Sequence, residues 1–117
     1  MNDDSKELPV RDPAAAMQAV GGNADLAQEL FAAFLESLEP QWQEIRRRHQ
    51  AADWVELRNS AHRLHGGAAY CGVPAMKAAV RALEQAAREG EPAEIDRRMH
   101  PLEREIGRLF ASAGAEG

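Results

Sequence analysis

This chain has one cysteine, few aromatics, no long apolar run and a minority of basic side chains, and each shortage excludes something. Cys71, standing alone, closes no intrachain disulfide and assembles no cysteine-based metal site. At the end of an apolar helical stripe it reads as core filler. No apolar stretch approaches the ~20 residues that span a bilayer. Met1 to Glu7 is polar and acidic, unlike the basic-then-apolar layout of a secretion signal. The expectation is a cytoplasmic chain without direct membrane contact. Lys and Arg number 14 against 19 Asp and Glu, a net charge of −5. The clustered cations that phosphate backbones require are missing, which argues against nucleic acid as the partner. Aromatics make up 5%, so the core must come from Leu, Ala, Val, Ile and Met.

Alternating strand patterns and internal repeats are absent too, while helix formers and helix punctuation abound. At 117 residues, with 44% apolar and 28% charged, the chain has the size and composition of one globular domain. Asp12-Pro13 is a capping acid followed by a proline at the first helical position, predicting a short helix that stops at Gly21-Gly22. Asn23 caps a second helix reaching about His49, with Leu26, Leu30, Phe31, Phe34, Leu38 and Ile45 on one face. Pro40 should kink or divide it. A third starts near Asp53 with the seam Trp54, Leu57, Ala61, Leu64, Ala68 and Cys71. After Gly72-Val73-Pro74 a fourth buries Met76, Val80, Leu83 and Ala87 and ends at Gly90. A fifth, from Glu91-Pro92, carries Ile95, Met99, Leu102, Ile106 and Leu109, with a bend expected at Pro101. Short connections make neighbours antiparallel. The expected fold is all-α: an up-down antiparallel four-helix bundle over residues 11–112, with the first helix as a lid and flexible ends at 1–10 and 113–117. A monomer is expected.

His62 lies off the seam of the third helix by about 125°, at roughly 100° per residue, so it should face solvent. An imidazole exposed to water is mostly an unprotonated nucleophile at neutral pH. Gly66 and Gly67, one turn later, each cost the helix about 1 kcal/mol relative to Ala, and such a cost in mid-helix marks a place where something must come close. Arg58 and His65 flank His62 by one turn and can bring positive charge to a phosphoryl group. A plainer reading competes: most surface histidines have no role, and a glycine pair can simply let the next helix pack tightly. Period and composition alone favour that plainer reading.

The string His62-Arg63-Leu64-His65-Gly66-Gly67-Ala68 resembles the phosphoacceptor motif of histidine-containing phosphotransfer (HPt) domains, H-x-L-K-G-[SGA]-[AS]. The likeness extends to Gly72, to Leu83-Glu84-x-Ala86-Ala87-Arg88-x-Gly90, and upstream to Asp25-Leu26, Glu29-Leu30-Phe31-x-x-Phe34-Leu35 and Pro40, covering about residues 12 to 110. Continued through Ala69-Tyr70-Cys71-Gly72-Val73-Pro74, it is similar to the HPt module at the C-terminal end of GacS/BarA-type hybrid sensor kinases.

The resemblance implies that His62 is phosphorylated at Nε2 and relays phosphate between receiver-domain aspartates of a two-component phosphorelay. The implied partners are a hybrid kinase's receiver and a GacA/UvrY-like response regulator. It further implies supporting roles for His65, Gly66 and Glu84: His65 stands where the family commonly has Lys, Gly66 gives clearance, and Glu84 orients the imidazole; Arg81, one turn before Glu84, would support the same site if the third and fourth helices pack antiparallel. The docking face expected around His62 comprises Val55, Arg58, Arg63, Gly67, Ala69 and Lys77. With no G-x-x-x-x-G-K-[ST] loop, no ATP binding or self-phosphorylation is expected. The chain would be a phosphocarrier with no cofactor or metal of its own, and Mg²⁺ would sit on the receiver. His65 as the acceptor would break register with Leu64 and Gly66. Two other classes remain: an adaptor bundle that docks a partner without phosphotransfer, and a metal module built on His62, His65 and a carboxylate.

Overall fold

The computed structural model describes residues 8–116. They form five helices: α1 (Pro13–Ala19), α2 (Ala24–Gln50), α3 (Trp54–Cys71), α4 (Pro74–Glu89) and α5 (Pro92–Glu116). No strand occurs among the described residues. The expected flexible ends at 1–10 and 113–117 fall partly outside them; within them, Pro9 accepts a hydrogen bond from the Ala75 N–H, and α5 continues through Glu116.

The first three helices start for the predicted chemical cause, while α4 has Pro74 in its first turn and no side-chain cap. The Asp12 carboxylate accepts from the Ala15 N–H at 3.1 Å, the Asn23 side chain from Leu26 at 3.0 Å and Asp53 from Glu56 at 3.2 Å. Those bonds satisfy amides that the first turn of a helix leaves unpaired. Gly72 and Gly90 end α3 and α4 in the left-handed conformation that favours glycine.

Pro40 does not divide α2, which runs unbroken for 27 residues, and α5 likewise runs through Pro101. Both prolines are exposed, as are Glu36 and Arg97, whose carbonyls lose their usual partner. Water can satisfy those carbonyls, so the helices tolerate the missing donors.

α3 packs between α2 and α4, α5 packs on α4 and closes back on α2, and the backbones of the diagonal pairs α2–α4 and α3–α5 make no close approach. That is a four-helix bundle, with α1 laid over α2 and α3. Its core is Phe34, Leu38, Trp42 and Ile45 of α2, Leu57, Ala61, Leu64 and Ala68 of α3, Met76, Val80 and Leu83 of α4, and Ile95, Leu102, Ile106 and Leu109 of α5. Each fully buried Leu or Ile contributes about 1.5–3 kcal/mol of transfer free energy. Two details of α2 differ from the pattern reading. Leu26, in the first turn of α2, stays partly exposed outside the core, and Trp42, absent from the expected face, is buried. No helix of the described residues is long and apolar enough to cross a membrane.

Candidate functional site: an outward histidine on a buried carboxylate

Burying Leu57, Ala61, Leu64, Ala68 and Cys71 fixes the rotation of α3, and His62 is thereby turned outward with 70% of its side chain exposed. α4 brings Glu84 alongside. Its Oε2 lies 2.8 Å from His62 Nδ1, although only 9% of the Glu84 side chain is exposed. A carboxylate can only accept, so in the neutral ring Nδ1 carries the proton and donates, leaving Nε2 with its lone pair free.

Two further groups meet the same carboxylate. His65 Nδ1 stands 3.6 Å from Glu84 Oε1, while its Nε2 is enclosed without a hydrogen-bond partner. Arg88 donates from its guanidinium to Glu84 Oε2 at 3.3 Å. A nearly buried carboxylate is expensive unless donors surround it; here His62 and Arg88 donate to it and His65 stands just beyond hydrogen-bond distance. His62, His65 and Glu84 can each offer one ligand atom, all within 4.8 Å of one another. They are the residues that could converge on a metal ion.

The glycine pair divides. A Cβ on Gly66 would meet nothing within 4 Å, so bare backbone lies open beside His62. A Cβ on Gly67 would lie 3.1 Å from the Phe34 ring, so this glycine serves the packing of α2. The tight-packing reading thus holds for one glycine, against α2 and not the following helix.

The remaining expected residues are spread around this centre. Val55 and Ala69 are exposed on His62's side of α3, and Arg58 is half-buried. Arg63 is exposed and donates to the Ser60 hydroxyl at 3.3 Å. Lys77 and Arg81 are exposed and line a shallow groove with Leu8 and Pro74, and neither reaches Glu84. Two residues appear in the motif strings of the sequence reading without a site role. Tyr70 is 60% exposed at the far end of the same helix, and Arg88 joins the carboxylate. Arg88's signal was present, since a cation four residues after a glutamate shares its helical face. Cys71, close by in sequence, is no competing nucleophile: burial raises its thiol pKa.

The Hpt domain family model matches residues 29–112. The chain is 36% identical over 107 residues to the sensor histidine kinase GacS of Pseudomonas protegens, covering 92% of this chain and 12% of that protein. It is 33% identical over 104 residues to the sensor protein GacS of Pseudomonas syringae pv. syringae, covering 89% and 11%. This chain therefore spans about one-eighth of the length of those relatives. No solved structure matches it significantly. With an all-helical bundle, an outward histidine and a family match over most of its length, the chain belongs to the Hpt domain family, the histidine phosphotransfer modules of two-component signalling.

Proposed function

We infer that His62 is the phosphoryl carrier, taking the group from a receiver-domain aspartyl phosphate and returning it to another receiver aspartate. The observation that carries this reading is the exposed ring whose Nδ1 is tied to the nearly buried Glu84, which fixes the tautomer and aims Nε2 outward.

In the forward step the Nε2 lone pair forms the N–P bond while the P–O bond to the receiver carboxylate breaks. That carboxylate leaves with the electron pair. The Nδ1 proton stays, and the positive charge gained by the ring is shared with Glu84. Positioning and charge neutralisation do the work in such transfers, so the chain needs no nucleotide loop, and Mg²⁺ belongs to the receiver. Gly66 gives clearance to the approaching loop, and Val55 and Ala69 supply apolar contact. Similarity to two GacS proteins supports a receiver of a hybrid kinase as donor and a GacA/UvrY-like regulator as acceptor, at the cytoplasmic side of the signalling system.

Labelled transfer from phosphorylated receivers tests this directly. Wild type and His65→Gln are expected to acquire stable label, and His62→Gln to lose at least about a hundredfold. Equal labelling of wild type and His62→Gln would sink the assignment and favour a docking module that needs no phosphorylation. For the metal reading, calorimetry with zinc is the discriminating measurement. No binding is expected in the micromolar range, because Arg88 and His62 already engage Glu84.

A further inference from the structure

Lys77 and Arg81 carry charge that nothing within the bundle answers. Both are exposed on α4, and among the described residues neither forms a side-chain hydrogen bond or an ion pair. Arg47 and Arg48, by contrast, are held by Glu44, and Arg97 and Arg98 by Glu94. Lys77 and Arg81 border a groove on α4, and none of His62, Gly66 and Glu84 lines it. The two cations stand apart from the histidine site.

The groove has a volume of about 630 Å³ and an apolar floor of Leu8, Pro74, Ala78 and Ala82. Leu8 is 46% exposed, a large apolar side chain left uncovered at one end. Its place is fixed by the next residue, since Pro9 O accepts from the Ala75 N–H at 3.1 Å. No carboxylate lines the groove, although the chain's net charge is −5. Gln85, the lining residue furthest along α4, holds Glu89 through its amide at 3.0 Å. Four residues of helix separate Lys77 from Arg81 by about 6 Å along the axis. In an extended chain, alternate side chains share one side at a repeat of about 6.6 Å, and the residue between turns the other way. Carboxylates at alternate positions thus match the two cations, while the intervening apolar side chain turns to the floor. Nucleic acids and anionic membranes call for larger basic clusters than this pair.

We propose that this groove is a docking site for an extended acidic segment of a partner protein, with carboxylates at alternate positions and apolar residues between them. The carboxylates pair with Lys77 and Arg81, and the apolar side chains pack on Leu8 and Ala78. Because His62 and Gly66 are not among its walls, a partner anchored there leaves the imidazole and the bare backbone accessible. Such an anchor raises the partner's local concentration at the histidine without touching the reacting groups. The site is independent of which residue carries phosphate.

The test titrates the full chain with the blocked peptide acetyl-Asp-Leu-Asp-Leu-Asp-Leu-amide at about 50 mM salt and follows backbone amide shifts by NMR. Shifts centred on Lys77, Ala78 and Arg81 are expected, with a dissociation constant of about 0.1–1 mM. Binding should weaken at least about tenfold in the double variant Lys77→Gln, Arg81→Gln, and likewise at about 500 mM salt. Leu8→Ser should weaken it several-fold, because the floor loses its largest apolar side chain. Arg104→Gln, at an exposed arginine on α5, and His62→Gln should leave it unchanged. No saturable binding, binding that the double variant retains, or binding lost in His62→Gln would overturn the proposal. Equal affinity for the counterpart with lysine in place of each aspartate would do the same. Capture of wild type, but not the double variant, by phosphatidylserine vesicles without peptide binding would reassign the groove to a lipid surface. Self-association that the double variant abolishes would reassign it to a second copy. Binding that appears only after Asp3→Asn, Asp4→Asn and Glu7→Gln would give it to this chain's own residues 1–7, and each of these three results overturns the proposal.

Discussion

Gly66 and Gly67 are adjacent in sequence and opposite in circumstance. Alanine at Gly66 meets open space, so Gly66→Ala is expected to stabilise the fold by about 0.5–1 kcal/mol through helix propensity, read as a higher midpoint in denaturant. The same variant should slow transfer from a receiver several-fold, because the added methyl stands where the partner approaches. Gly67→Ala places its methyl 3.1 Å from Phe34, and crowding is expected to cancel the propensity gain. A Gly66→Ala protein that is less stable than wild type would contradict the open geometry. Cys71 gives a pH test at the same scale. Its thiol pKa is raised by burial, so the protonated form is favoured in the folded state. The associated stability is complete below the unfolded thiol's pKa and is lost as pH rises through the folded value. Alkylation at pH 8 should therefore be much slower in the native protein than in denaturant, with the gap narrowing at higher pH.

At the scale of the elements, the junction of α1 with the end of α3 holds the lid. The Asp12 N–H donates to Gly72 O at 2.7 Å, and Pro9 O accepts from Ala75. Gly72 has φ +65, and a Cβ there would lie 2.4 Å from Asp12 O. Gly72→Ala is thus both strained and obstructed, and a loss of about 2 kcal/mol or more is expected, measured by thermal or denaturant unfolding. A loss under ~0.5 kcal/mol would mean that α1 is not anchored this way. The prolines teach the complementary lesson. The missing donors predict a kink or division at Pro40 and a bend at Pro101, yet both helices run on, with the prolines on solvent faces where the freed carbonyls can reach water. Sequence position says that a donor is missing; only the bundle says which face it is missing from.

For the whole molecule, net charge is −5, while Arg58 and Arg63 stand on α3 and Lys77, Arg81 and Arg88 on α4, the two helices that carry the site. Association with an acidic receiver pocket should gain from that local sign against the global one. Raising salt from 50 to 500 mM is expected to lower the association rate about tenfold while changing dissociation little, measurable by stopped-flow or surface binding. Rates that rise with salt would place the docking face elsewhere on the bundle.

Composition and period by themselves determined the five helices, their caps and the apolar seams, because capping chemistry and helical spacing are local, and short connections admit one antiparallel arrangement. They also put His62 outside, since its angle from the seam follows from helix geometry alone. Contacts between helices were decided only by the packed bundle: that Glu84 holds His62, that His65 turns inward, that Gly67 belongs to Phe34 while Gly66 stays open, and that Arg88, unlike Arg81, reaches the carboxylate. Each depends on the axial offset and rotation of one helix against another, set by how the core side chains of both interlock, and no single helix encodes that.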